Sequence, residues 1–188
     1  MTIPSNPNYQ ELWLRWGGLA ILDNEQSNDL LNHLHAEVKA GCELIGKTAT
    51  EQVTSGSSSI FEKILPHIYS TTVSSVYGGY FLFLLVHKIN PETDNLKDRN
   101  STTQLGELWV QAFDKKELDK KIKSIDPVIQ LMLDKIAEMR LEQLIALTPE
   151  IIKWKYQSVV TIQQHISWCV YQGYLLGEFE QNLAENTL

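Results

Sequence analysis

Apolar residues recur at helical spacing along almost the whole chain, and alternating strand-like runs are nearly absent. Asn6-Pro7 reads as an N-cap followed by a proline at the first helical position. Tyr9, Leu12, Trp13 and Trp16 then follow at i, i+3, i+4, i+7, which predicts a first helix to about Leu22. Ser27 or Asn28 is positioned to cap a second, striped by Leu31, Leu34, Val38, Cys42 and Ile45. The polar run Thr54 to Ser59 is a loop, and Ser59 with Glu62 forms a capping box that opens a third. Pro66 is expected to bend that helix or split off its first turn.

Residues 90–101 are polar and rich in turn formers, which marks a linker. Beyond it, Ser101 with Gln104 makes another capping box, and Leu105, Leu108, Trp109, Ala112 and Phe113 form the stripe of a fourth helix. Asp126-Pro127 and Thr148-Pro149 are cap-plus-proline pairs that predict a fifth helix over 127–147 and the start of a sixth reaching about Leu183.

The expected fold is therefore all-α, a six-helix bundle. It divides into a first three-helix unit at 1–89, the linker at 90–101, and a second unit at 102–188, packed as one globular domain. The two units share rare letters. Glu11-Leu12-Trp13-Leu14 matches Glu107-Leu108-Trp109-Val110, and Val76-Tyr77-Gly78-Gly79-Tyr80 matches Val170-Tyr171-Gln172-Gly173-Tyr174. The spacing between the two motifs agrees within two positions. That pattern predicts a tandem duplication with a pseudo-twofold relation, although the middle helices align poorly. Gly173 and Gly177 also form a small-residue face at i, i+4, expected to serve tight helix packing.

Charge and composition then exclude several classes of function. The net charge of −7 is distributed as −5 over residues 1–94 and −2 over 95–188, so neither half offers the basic field that a phosphate backbone requires. The one lysine-dense stretch, Lys115 to Lys123, is interleaved with Asp114, Glu117, Asp119 and Asp126 and reads as a solvated helix face. No nucleic-acid partner is expected. Cys42 and Cys169 lie in apolar helical patterns and read as free buried thiols. Met1 to Pro7 carries no secretory pattern, which makes the cytoplasm the expected location. The chargeless run 64–86 is long enough to span a bilayer, but Pro66, His67, Gly78, Gly79 and its hydroxyl residues favour a buried central helix.

Candidate chemistry is sparse. No histidine follows a glutamate at the spacing a di-iron bundle needs, and there is no His-Glu-x-x-His, no Cys-x-x-Cys and no phosphate-cradling glycine motif. No metal, cofactor or catalytic constellation is expected. His33 with Glu37 and His165 with Cys169 are the remaining i, i+4 pairs, the latter at the edge of an apolar stripe. Five tryptophans and seven tyrosines are a generous allotment for a helical chain of this length. They are expected chiefly to staple the three-helix units together; read functionally, they would line an aromatic groove between the repeats, at Tyr77, Gly79, Tyr80, Tyr171, Gly173, Tyr174 and His165. The function expected from this is a non-enzymatic interaction or adaptor protein that self-associates or binds a protein partner. The alternative is a helical protein holding an apolar ligand between the two units.

Overall fold

A helix segment buried on every face must lie at the centre of its domain, and two long helices of this chain each contain one. The computed structural model describes residues 31–54, 60–91, 94, 96, 104–112, 114–149, 151 and 156–186. The six α-helices among these residues are α1 (Ala36–Thr54), α2 (Ile60–Val86), α3 (Leu105–Ala112), α4 (Lys115–Ser124), α5 (Pro127–Leu147) and α6 (Tyr156–Asn186), with no strand. The fold is all-α. The first expected helix, with Trp13 and Trp16, lies outside the described residues, as do the Ser27/Asn28 and Ser59 caps.

Helix α2 is buried without interruption from residue 71 to 85, and α6 from 169 to 177. They form the largest interhelix contact of the fold. At their crossing, a Cβ placed on Gly79 would lie 1.8 Å from the Val170 carbonyl oxygen, and one on Gly173 would lie 1.9 Å from that of Val76. Only hydrogen fits there, so each glycine Cα–H points at a carbonyl of the other helix and the two backbones touch. Pro66 lies within α2, which continues through it. No described helix is long and apolar enough to cross a membrane.

Three buried hydroxyls of the chargeless segment, those of Thr72, Ser74 and Ser75, are satisfied internally. Ser74 and Ser75 donate to the Thr71 carbonyl at 3.0 and 2.6 Å. Thr72 and Thr50 share a 2.8 Å hydrogen bond that ties α2 to α1. Two shorter-range helices flank the crossing pair: α1 packs on α2 and α6, and α5 packs on α6 and α2. Each presents a buried stripe, Val38, Cys42, Ile45 and Ala49 on α1 and Leu133, Ile136, Ala137, Arg140 and Leu144 on α5. The expected apolar spacing of the second helix is thus its core face.

Several expected boundaries shift for identifiable reasons. Helix α1 begins only at Ala36, where the His35 Nδ1 accepts from the Glu37 backbone N–H at 3.1 Å. The fourth expected helix is two. Asp114 interrupts it and caps α4 by accepting from the Glu117 N–H at 2.9 Å, so the lysine-rich stretch turns away as a separate exposed helix. Gln104, placed by its capping-box reading inside the helix, instead precedes α3 with φ 62° and donates its N–H to Glu37 Oε2 at 2.8 Å. Asp126-Pro127 does open α5, with Asp126 accepting from Val128 N–H at 2.8 Å. Thr148, by contrast, ends α5, its N–H and hydroxyl both donating to the Leu144 carbonyl, and α6 starts at Tyr156. Within 90–101, Asn90 and Asp94 close a turn on each other, while Pro91 and Leu96 are buried.

Candidate functional site

Six of the seven groove residues expected from the sequence meet at the α2–α6 crossing. Tyr77 and Tyr171 reach outward in opposite directions. The Tyr77 hydroxyl donates to the Lys39 carbonyl of α1 at 3.5 Å, and that of Tyr171 to Asp134 Oδ1 of α5 at 2.9 Å. Tyr80 donates to Glu180 Oε2 at 2.7 Å, and the Tyr174 ring stands edge-on to Phe83 with centroids 5.7 Å apart. Burial pushes the phenols of Tyr77 and Tyr171 well up, and that of Tyr174 up to about 12. With Gly79 and Gly173 in backbone contact, the two helices leave no room for a molecule between them at this point. These six residues are joined as packing.

His165 lies elsewhere. It is half-buried on α6, and since a carbonyl only accepts, its Nδ1 carries the proton that bonds the Thr161 oxygen at 2.8 Å. The residue lines a groove of about 720 Å³ bounded by α1, α3, α4 and α6. Its floor is Ile45 and Ala49 of α1, Leu118 of α4, and the indoles of Trp109 and Trp168. The exposed rim is mostly polar, with Thr48, Gln52, Lys115 and Gln164 beside Val110 and His165, and Gln172 is buried in the wall. Trp109 is rigidly held: it is buried and meets Phe179 edge-on at 5.7 Å.

The groove exists because the chain breaks at Asp114. Were α3 and α4 one straight helix, Lys115 and Leu118 would continue along the axis of α3 and could not close the side facing α6. Of its lining, the tryptophans were legible as aromatic candidates. The rim residues Thr48, Gln52, Lys115 and Gln164 were not, because ordinary polar residues on a helix carry no signal until a neighbour faces them. Volume and lining suit a small molecule with an apolar body and a polar edge.

The remaining sequence candidates do not assemble. His33 stands in a turn before α1, so it does not share a helix face with Glu37. Among the described residues no three His, Cys, Asp or Glu side chains gather into a metal site. Cys42 and Cys169 are free and fully buried, and burial raises both thiols, Cys169 to about 12, which suppresses the thiolate a nucleophile requires. No protein-family model, curated protein or solved structure matches this chain.

Proposed function

We propose that this is a non-enzymatic helical binding protein that holds an apolar small molecule in the α1/α3/α4/α6 groove. The observation that carries this reading is the groove itself, about 720 Å³ with two indoles on its floor and a hydrogen-bonding rim. The volume lies within the range of about 300–1,000 Å³ typical of small-molecule sites. Native mass spectrometry of the full chain from its own source tests it. A discrete mass excess that is lost in Thr48→Trp, which fills the groove from an exposed position, is the expected result. A bare polypeptide mass in the unsubstituted protein would overturn it.

The bundle is further proposed to comprise two tandem three-helix units related by a pseudo-twofold axis. Support comes from reciprocity. Gly79 abuts Val170 and Tyr174 while Gly173 abuts Val76 and Tyr80, each the sequence match of the other. Setting Val38 on Leu133, Cys42 on Ala137 and Ala49 on Leu144 matches most of the buried residues of the two helices, and it also sets Lys39 on Asp134, the two hydroxyl acceptors of Tyr77 and Tyr171. Burial and register thus support a relation between the middle helices that their letters do not reveal. The relation predicts that Trp13→Ala and Trp109→Ala destabilise equally, by about 3–5 kcal/mol each in urea unfolding. A loss confined to Trp109 would refute it.

A second reading, a protein-binding adaptor or self-associating protein, is favoured by Val128 and Leu131, each 57% exposed and three residues apart on one face of α5. A dimer or a second polypeptide in the same mass spectrum would support it.

A further inference from the structure

Arg140 is the most deeply buried charged residue of the described chain, 1% exposed in the middle of the core face of α5. Its Nη1 donates to Gln143 Oε1 at 3.2 Å, but Nε and Nη2 have no partner. Those two nitrogens are one edge of the guanidinium, whose parallel N–H bonds form the fork that takes both oxygens of a carboxylate. Among the described residues no acidic side chain is bonded to it. Burial lowers the group to about 9, so it stays protonated at neutral pH and its charge is uncompensated.

The unpaired edge lies at the contact between α5 and α2. A Cβ on Gly78 of α2 would lie 3.0 Å from Ile136 Cγ2, 3.6 Å from Nη2 and 3.9 Å from Nε, so the glycine lets α5 approach closely and this edge, and not the bonded Nη1, is the part of the guanidinium nearest it. Around it on α5, one turn away in each direction, are the buried Ile136, Ala137 and Leu144. A charged fork in apolar surroundings selects a ligand with an anionic end and an apolar body. We propose that Arg140 anchors a carboxylate-binding site between α5 and α2, for a monocarboxylate with an apolar body, distinct from the groove on the opposite flank. Because Arg140 is enclosed, the ligand reaches the edge as neighbouring side chains part.

The side-chain Nε–Hε resonance of Arg140 reports on this edge directly. The experiment titrates the full ¹⁵N-labelled chain with octanoate, acetate and inorganic phosphate, and repeats the octanoate titration in Arg140→Met. Octanoate is expected to shift the Arg140 Nε–Hε signal downfield, saturably and at least tenfold more tightly than acetate. The melting temperature should rise in the unsubstituted protein and not in Arg140→Met, which keeps the side-chain volume. A signal unmoved by every probe, including one already downfield without any of them, overturns the proposal, since the edge is then satisfied within the protein or closed to ligands. A response to phosphate alone overturns the carboxylate class, and equal responses to acetate and octanoate overturn the apolar body.

Discussion

The α1 and α5 flanks of the α2–α6 pair each pack a buried stripe on it but differ in what those stripes carry. On the α1 flank, Ile45 and Ala49 form the floor of an open groove together with Trp109 and Trp168. In the proposed register the corresponding α5 positions hold Arg140 and Leu144, both fully enclosed, and the position of Gln172 on the groove wall corresponds to Gly78. In that register the crossing is common to both sides and the flanks differ. The crossing is fixed by backbone contact, which tolerates no change, whereas a flank is fixed by side chains, and one substitution there exchanges an apolar wall for a buried charge.

The largest effect expected from this comparison is at the part the flanks share. Gly79→Ala and Gly173→Ala each put a methyl carbon against a carbonyl oxygen of the opposite helix, and each is expected to cost about 3 kcal/mol or more in urea unfolding. Unequal losses would break the equivalence of the two sides. The next effect separates the flanks. Replacing an unpaired buried cation with an apolar side chain of similar volume removes its desolvation cost, so Arg140→Met should stabilise the protein by about 1–4 kcal/mol in the absence of any carboxylate. Ile45→Met at the matched position should change stability by less than about 1.5 kcal/mol.

Alkaline pH sharpens the contrast because the buried groups act in opposite directions. Cys169 titrates near its ordinary 9.0 when unfolded and at about 12 when folded, so the folded chain holds more protons between those values. Its contribution is full below pH 9 and is lost as pH rises toward 12. Arg140 has the reverse sign: burial lowers it to about 9 in the folded chain, well below its ordinary value when unfolded, so the penalty on its burial is relieved over that window. Thermal unfolding between pH 9 and 12 should therefore fall more steeply in Arg140→Met than in the unsubstituted chain, and less steeply in Cys169→Ala. Identical slopes in all three would show that neither group titrates differently in the folded state. The smallest effect concerns the tyrosines. Tyr171→Phe loses a 2.9 Å bond to a carboxylate and should cost about 1 kcal/mol, while Tyr77→Phe loses a 3.5 Å contact with a carbonyl and should cost less than about 0.5 kcal/mol, both by chemical unfolding.

Much of the fold was legible. The stripes of α1 and α5, the Asp126-Pro127 start and the central position of α2 follow from apolar spacing and cap chemistry. The shared Val-Tyr-x-Gly-Tyr motif pointed to the residues that meet at the crossing. It also suggested a groove there, because glycine and tyrosine at a helix surface are compatible with either a ligand or a close neighbour, and only the distance between the helices distinguishes them. Thr148 illustrates the same ambiguity at a boundary. A threonine before proline can open a helix, but here its hydroxyl and N–H both turn back to Leu144, and one residue cannot cap in both directions.

Arg140 was not legible at all. In the sequence it is one of sixteen basic residues, and neither spacing nor composition distinguishes a buried one from a solvated one. The sequence alone determined the helical class, the core faces and the glycines on which two helices can touch, because those depend on local periodicity and on side-chain size. Tertiary structure decided that the crossing is closed, that breaking at Asp114 opens a groove, and that Arg140 is enclosed with one edge unpaired. Each of these is a distance between segments remote in sequence, and such distances are set by how the helices pack.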